Sequence, residues 1–365
     1  MLACAVVFSG RSSLPSDQPP QSPGSGRPAA PAPPGIYGYA GAVDGIWISR
    51  STLSALPVMG PAWENVFSAS QRPCASPNLN DQEDAANVCV MAKALVYART
   101  ADPSLRLEIV GILRLIVSAE RYHGRALALG RELAAYVIAA DLIQLGELDP
   151  GLDAAFRARI RELLTTPTVD GPENLVACHE QRPNNWGAHC GASRAAVAAY
   201  LGDAAELARA ADIFRAYVGE QKTHRGFVFG FDRSWQCDPF DPVGINPREC
   251  VRRGHSLDGV LPDDQRRGGS FQWPPPHENY VYEALQGALA QAVILQRAGY
   301  PSFQWGDSAL LRAYDWLNTQ ARFPPKGDDA WETYVINYFY DTAYPPIEPA
   351  RPGKNVGWTD WTHRR

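Results

Sequence analysis

ALALGRELAAYVIAADLIQL, residues 126–145, places apolar side chains three and four positions apart along its whole length. This spacing puts one apolar stripe on a helix of 3.6 residues per turn and therefore predicts an amphipathic α-helix. Asp102-Pro103 and Asp149-Pro150 stand at the starts of two neighbouring segments, where Asp caps a helix and Pro fits its first turn. The same spacing predicts further helices at residues 85–100, 105–119, 152–164, 186–201, 204–218, 278–298 and 307–320.

Strand-like alternation is scarce, and only the aromatic run at residues 334–340 fits a helix and a strand equally well. Many amphipathic helices joined by short connections predict an all-α fold, in which helical hairpins close into an (α/α) toroid or incomplete barrel. The sequence shows no fixed repeat period of the kind that marks a solenoid.

The first 35 residues differ from the rest in composition. Residues 2–8 (LACAVVF) are apolar and are typical of the remnant of a signal peptide, whereas residues 10–35 are rich in Pro, Ser and Gly. Such a composition predicts a disordered tether. We therefore expect residues 36–365 to form one helical domain.

The bulk composition excludes some classes of function. The net charge is −5, so no basic field indicates nucleic-acid binding. No segment approaches the roughly 20 apolar residues that a membrane span needs. Seven cysteines without a CxxC pair disfavour a zinc site and favour an oxidising location, periplasmic or secreted. Three disulfide pairs are plausible: Cys74 with Cys89, Cys178 with Cys190 and Cys237 with Cys250. The sequence does not determine this connectivity.

One connection, residues 225–276, has scarcely any helical periodicity. A connection this long within a compact domain is usually functional. It contains His255 and two arginine pairs, at 252–253 and 266–267, which concentrate positive charge in a mildly acidic protein. With Arg182, these arginines are candidates for binding an acidic substrate, although solvated surface positions are the commoner fate of any single arginine.

The segment RPNNWGAH, residues 182–189, begins one of the predicted helices. Asn184 or Asn185 can cap this helix, and Asn185 and His189 are four residues apart, so their side chains share a face. The free N–H groups of a helix N-terminus suit a carboxylate ligand. An Asn here is commonly only a cap and a lone His commonly structural, but their combination with Trp186 favours a functional site.

A second segment, PPPHENYVY at residues 274–282, begins another helix directly after three prolines. Tyr280 would lie in the first turn, where the helix dipole and a nearby arginine stabilise a phenolate. Packing in the core is an equally simple role for Tyr280, and it is the simpler interpretation of Tyr282, which points elsewhere on the helix.

Asn, His, Arg and Tyr side chains together suit β-elimination beside a uronic acid. Loss of the C5 proton puts negative charge into the sugar carboxylate, and an Asn, a protonated His or an Arg neutralises it. A Tyr or His removes the proton, and a Tyr can return one to the leaving oxygen. This chemistry needs neither a metal ion nor another cofactor.

These stretches resemble the alginate lyase superfamily, the helical-toroid polysaccharide lyases. Residues 53–63 (LSALPVMGPAW) are similar to its opening helix, and Asn184-Asn185 resembles its Asn-Asn-His motif. Arg267 followed by residues 277–280 resembles its Arg and Tyr-containing helix start, and the similarity spans about residues 45 to 361. The resemblance implies that Asn185 neutralises the carboxylate of an anionic uronate polysaccharide, that Arg267 assists it and that Tyr280 is acid and base.

The resemblance also has departures. Trp186 stands where the family has His, so the nearest imidazole is His189, one helical turn later. The proline run shifts the register, so that either Tyr280 or His277 falls at the position of the family's Tyr. The form Asn-Asn-Trp-Gly-x-His and the ending GKNVGW at residues 353–358 are similar to the branch that contains glucuronan lyases.

The resemblance implies no metal ion, and we expect a monomer. The four candidate catalytic residues are Asn185, His189, Arg267 and Tyr280. We expect seven further residues to contact the sugar chain: Arg182, Asn184, Trp186, His255, Arg266, His277 and Tyr282.

Two other functions stay open at this point. A glycoside hydrolase on an (α/α) toroid needs two carboxylic acids across a cleft. The sequence offers Asp258, Asp263, Asp264 and Glu278 for them. A non-catalytic polysaccharide-binding protein would keep the aromatic residues and arginines but would not depend on His189 or Tyr280. The polymer and the endo or exo mode are not determined by the sequence.

Overall fold

The computed structural model describes residues 44–119, 122–220 and 222–365. Over these residues the chain is all-α, as predicted, with two 3₁₀ turns (Arg266–Gly268 and Gly327–Asp329) and a short antiparallel pair of strands, β1 (Val251–Arg252) and β2 (His255–Ser256). The helices are α1 (Arg50–Ala55), α2 (Pro61–Ser70), α3 (Ala86–Thr100), α4 (Pro103–Ser118), α5 (Ala126–Leu142), α6 (Leu145–Leu148), α7 (Pro150–Thr165), α8 (Leu175–Gln181), α9 (Asn185–Leu201), α10 (Ala204–Tyr217), α11 (Pro262–Gln265), α12 (Tyr280–Arg297), α13 (Trp305–Thr319), α14 (Glu332–Tyr340) and α15 (Thr359–Thr362).

The predicted helix starts are present, and both Asp caps are formed. The Asp102 carboxylate accepts a hydrogen bond from the Ser104 amide at 2.9 Å, and that of Asp149 accepts one from Leu152 at 3.0 Å. The ambiguous aromatic run at 334–340 lies in α14. The prediction of one helix over 126–145 is wrong at its end, because the left-handed backbone of Gln144 (φ 53°) separates α5 from α6.

Helix α9 lies at the centre of the domain and packs against α5, α8, α10 and α12. Glycines allow the closest of these approaches. A Cβ at Gly287 of α12 would lie 2.4 Å from the Ala188 carbonyl carbon, and one at Gly130 of α5 would lie 2.8 Å from the Cys190 nitrogen. Because α7 also contacts it, α9 is covered by five helices, and nearly all its residues are buried, including Asn185 and His189, the two polar residues of the RPNNWGAH segment that share a face.

The long connection at residues 225–276 folds into a compact unit. The Trp235 indole is buried and its Nε1 donates to the Gly269 carbonyl at 2.8 Å. The Asn246 side chain donates to the Trp235 carbonyl at 2.9 Å and accepts from the Cys237 amide at 3.0 Å. These contacts join distant parts of the connection to one another.

The structure resolves the cysteine pairing for the residues it describes. Cys74–Cys89 and Cys237–Cys250 are disulfide-bonded. The expected Cys178–Cys190 bond is wrong, because both are buried free thiols and Cys190 Sγ is directed at the Ala126 carbonyl of α5, 3.4 Å away. Burial raises the pKa of the Cys190 thiol well above its usual value.

Cys4 and the expected signal remnant and tether at residues 1–35 lie outside the described residues. In the part of the chain that the structure describes, no helix combines the length and the apolar character needed to cross a membrane.

Candidate active site

The start of α9 is built by its own two asparagines. Asn184 is the N-cap, and its side-chain oxygen accepts a hydrogen bond from the Trp186 amide at 3.1 Å. Asn185 is the first helical residue and is fully buried. The third residue has to be glycine, since a Cβ at Gly187 would lie 1.8 Å from the Arg182 carbonyl oxygen.

Two adjacent carboxyl groups of α11 hold this helix start in place. Asp263 accepts a hydrogen bond from the Asn184 side chain at 2.9 Å, and Asp264 accepts one from the Asn185 amide at 3.0 Å. Burial, reinforced by the neighbouring Asp263, raises the pKa of Asp264 well above its usual value. Both carboxyls are buried supports of α9, and neither lines the pocket described next.

Asn185 meets two residues from distant parts of the sequence. Arg267 Nη1 donates to the Asn185 side-chain oxygen at 3.3 Å, and the guanidinium carbon of Arg267 lies 3.5 Å from the centre of the Tyr280 ring. Arg267 is exposed, and Tyr280 is 38% exposed at the first turn of α12. The side-chain nitrogen of Asn185 is buried and has no hydrogen-bond partner among the described residues. An amide donor, a cation and a phenol thus form one cluster.

This cluster borders a pocket of about 550 Å³. Three arginines, three glutamates and Trp186 are among the residues that line it. Its lining residues are Gln82, Glu83, Arg125, Leu127, Arg131, Trp186, Arg267, His277, Glu278, Asn279, Tyr280 and Glu283.

The floor of the pocket is a network of paired charges. The buried Arg131 bonds to Glu283 and, at 2.7 Å, to Glu83, whose other oxygen receives Lys354 Nζ at 2.6 Å. His189 lies beneath Glu283 and is fully buried, with its Nε2 atom 3.7 Å from a Glu283 oxygen. That distance is too long for a hydrogen bond but close enough for strong electrostatic coupling.

The pKa values follow from this arrangement. Burial raises the pKa of Glu283, but the interactions with His189 and Arg131 outweigh it, so the pKa lies below its usual value and Glu283 is ionised. Burial is the largest influence on His189 and lowers its pKa, with Glu283 opposing and Arg131 assisting. Of His189 and Glu283, only Glu283 lines the pocket, and His189 is fully buried.

Trp186 and His277 are the other expected contact residues that line the pocket. The Trp186 side chain is half-buried. His277 stacks on Phe323 with 4.5 Å between ring centres, and its Nε2 lies 3.2 Å from the Ala321 carbonyl oxygen.

The remaining expected contact residues lie elsewhere. Tyr282 is buried, and its hydroxyl donates to the Phe323 carbonyl at 2.5 Å, so it packs in the core. Arg266 forms an ion pair with Asp263 at 2.8 Å, and His255 stacks on Trp273 with 4.2 Å between ring centres. Arg182 is half-buried and does not line the pocket, and the side chain of Asn184 is directed at Asp263.

Sequence reasoning missed the charged floor. Arg131 follows five apolar or small residues inside α5, and a charge within such a stretch is a recognisable signal, since buried charges are rare unless paired. Glu283 follows Tyr280 by three residues on α12, which places the two side chains on one face. Among the described residues, no group of three or more His, Cys, Asp or Glu side chains is placed to hold a metal ion.

No protein-family model matches the chain, and no curated protein matches it. Among solved structures, the chain is similar to an alginate lyase, A1-III, determined as a variant in complex with a tetrasaccharide. The similarity covers 89% of this chain and 98% of that chain, with a TM-score of 0.51 and 9% sequence identity. At this identity the likeness concerns the fold alone. The chain therefore has an all-α fold of the α/α-toroid type, as its helix pattern predicted.

Proposed function

We propose that the protein is a polysaccharide lyase that cleaves an anionic uronate polymer by β-elimination in the pocket at the start of α9. The observation that carries this proposal is the cluster of Asn185, Arg267 and Tyr280. The likeness in fold to an alginate lyase supports a polysaccharide lyase at the level of fold. The reaction and the polymer belong to the proposal.

The carboxylate of the sugar would bind between Asn185 and Arg267. The Asn185 side-chain nitrogen is a buried donor without a partner, and such a donor costs about 1–3 kcal/mol unless a ligand satisfies it. The exposed guanidinium of Arg267 presents a planar set of donors that matches a carboxylate. Both groups bind the carboxylate more strongly in the transition state, because negative charge develops on it there.

Tyr280 would move the protons. As the phenolate it removes the C5 proton, and the electrons of that bond form the C4–C5 double bond. The C4–O bond breaks at the same time, and Tyr280 returns the proton to the leaving oxygen. In this scheme His189 supports Glu283 from below and does not touch the sugar.

A glycoside hydrolase is the second candidate, because three glutamates line the pocket. Glu83 and Glu283 both form ion pairs with Arg131, whereas Glu278 forms no ion pair with any residue that the structure describes. Glu278 as general acid and Glu283 as the second carboxylate would be the pair to test. The other acids considered from the sequence are excluded from this pocket, since Asp258 pairs with Arg312 elsewhere and Asp263 and Asp264 are buried under α9.

The deciding experiment incubates the protein with polyglucuronate and, separately, with alginate, and follows both the absorbance of the unsaturated product and the reducing ends. A lyase raises both signals together, whereas a hydrolase raises only the reducing ends. A binding protein raises neither and is retained by the polymer. A faster reaction on polyglucuronate than on alginate would support the glucuronan lyase branch.

We further propose that the protein acts in the periplasm or outside the cell, as a monomer. The two disulfides support this location, because such bonds persist in oxidising compartments. Thiol titration of protein taken directly from the periplasm should find both bonds intact, and reduced cysteines at these positions would contradict the proposal. Sedimentation at several concentrations should give the mass of a single chain.

A further inference from the structure

We propose that a groove beside the pocket binds additional sugar residues of the same anionic polymer. This outer groove measures about 380 Å³, and its lining residues lie in two stretches, 224–233 and 241–242. It contains none of the residues that line the pocket. The identity of its ligand rests on the proposed function.

The two stretches that form the outer groove expose an unusual amount of aromatic surface. Among the lining residues, Val228 is 61% exposed and Phe227 and Phe229 are half-buried. Phe231 and Phe240, which are almost completely exposed, do not line the groove but follow or precede lining residues closely in the sequence. Exposed apolar side chains that cluster on one surface commonly mark a binding site. The flat face of an aromatic side chain can pack against the apolar face of a sugar ring.

The charges of the outer groove favour an anionic ligand. Arg225 and Arg233 line it together with a single carboxylate, Asp241. Arg225 has no ion-pair partner among the described residues, and Arg233 donates one hydrogen bond, to the Pro239 carbonyl at 3.1 Å. The remaining guanidinium donors are therefore available to the carboxylates of a polyuronate.

The outer groove is connected directly to the start of α9. The Val228 amide donates to the Gln181 carbonyl at the end of α8 at 2.8 Å, and the Gly230 amide donates to Asp263 at 2.8 Å. Asp263 is the carboxylate that also holds Asn184 and pairs with Arg266, the neighbour of Arg267 in the pocket. Asp263 thus joins the chain segment of the groove to the residues next to Asn185 and Arg267.

The test compares Arg225→Ala/Val228→Ala, which removes two side chains that line the groove, with the control Arg106→Ala/Leu107→Ala, which removes an arginine and an exposed apolar side chain from α4, outside both cavities. We expect KM for polyglucuronate or alginate polymer to rise about ten-fold in the groove variant, with kcat unchanged. Turnover of the shortest oligosaccharide that is cleaved should not change, because it does not reach the groove. Retention in gels containing the polymer should weaken by a similar factor, and the control should match the wild type throughout.

Each other outcome overturns the proposal. An unchanged polymer KM and retention would show that the groove is unused, and an equal loss on short oligosaccharides would place the effect in the pocket. A change from dimer to monomer in the groove variant would show that the surface binds a second copy of the chain. Circular dichroism checks folding, and the single change Arg225→Gln replaces the double variant if that one unfolds.

The two proposals can fail separately. If no polyuronate gives an unsaturated product, the proposed function fails, but gel retention still tests the outer groove. A wild type that is retained and a groove variant that is released support the groove. A wild type that no polyuronate retains overturns it.

Discussion

The floor and the rim of the pocket are both rich in charge, yet they are built in opposite ways. On the floor, Arg131, Glu283 and His189 are largely or fully buried, and the two ionised groups neutralise each other. On the rim, the Arg267 side chain is exposed, and the fully buried Asn185 next to it keeps a side-chain donor without a hydrogen-bond partner among the described residues. The difference indicates that the floor holds the site together, whereas the rim is left open for a ligand.

The largest effect on stability should come from the floor. Arg131→Met would leave Glu283 charged and buried without its partner, and we expect the free energy of unfolding to fall by about 3–5 kcal/mol. Arg125→Met is the control, because Arg125 is exposed in the same pocket and pairs loosely with Asp170, at 3.5 Å. Its loss should cost about 0–1 kcal/mol. Equal losses in urea unfolding would remove the distinction between floor and rim.

The largest effect on activity without loss of stability should come from the rim. Arg267→Ala should lower kcat/KM by roughly 10²–10³, the usual effect of removing one group that stabilises developing charge. Arg253→Ala is the control, since Arg253 also lies over an aromatic ring of the long connection, Phe271, but outside the pocket. A melting temperature that falls as far as activity in Arg267→Ala would mean that this arginine is structural.

A smaller effect should come from the helix cap between the two regions. Asn184→Ala removes the cap of α9 and a partner of Asp263, and we expect the free energy of unfolding to fall by about 1–2 kcal/mol, with lower activity. Asn174→Ala removes the equivalent cap of α8, where the side chain accepts from the Ala177 amide at 2.8 Å. It should destabilise similarly and leave kcat/KM unchanged. Full activity in Asn184→Ala would show that the position of Asn185 does not depend on this cap.

The smallest effect should be a pH dependence of the floor. The pKa of His189 lies below its usual 6.5, so as pH falls the unfolded chain takes up this proton first and stability decreases. Glu283, with a lowered pKa, acts in the same direction below pH 4.5. Asp329, whose pKa is raised to about 7, has the opposite effect, because its protonation stabilises the folded state as the pH falls. Its contribution has to be removed by comparing two proteins that both contain it.

We therefore expect the melting temperature of the wild type to fall further between pH 7 and pH 5 than that of His189→Gln. The difference between the two proteins isolates His189, because Asp329 is present in both. Parallel curves would show that His189 is not held neutral in the floor.

The helices and the start of α9 were predictable because their signals are local. Apolar spacing determines α5, α9 and α12, and the Asp102, Asp149 and Asn184 caps each involve residues close in sequence. Two disulfides were also predictable, because each joins cysteines only 15 or 13 residues apart. The third pairing failed, because spacing does not give the direction of a side chain, and Cys190 is directed at α5.

The floor of the site was not predictable from the same signals. Arg131 and Glu283 are 152 residues apart, so only the packing of α5 and α12 around α9 brings them together. The spacing of Asn185 and His189 predicts a shared face, but it cannot show that Glu283 of α12 covers the imidazole. The roles of Asn185, His189, Arg267 and Tyr280 in a reaction stay predictions.

The most direct test of the rim as the reactive region is the initial rate of unsaturated product from polyglucuronate or alginate in wild type, Tyr280→Phe and Tyr338→Phe. Tyr338 is the control, because it also lies beneath an arginine, Arg365, but outside the pocket. We predict that Tyr280→Phe slows the reaction by roughly 10²–10⁴, because it loses the proton-transfer group, and that Tyr338→Phe keeps the wild-type rate. Reducing ends without unsaturated product in wild type, or an undiminished rate in Tyr280→Phe, would contradict this.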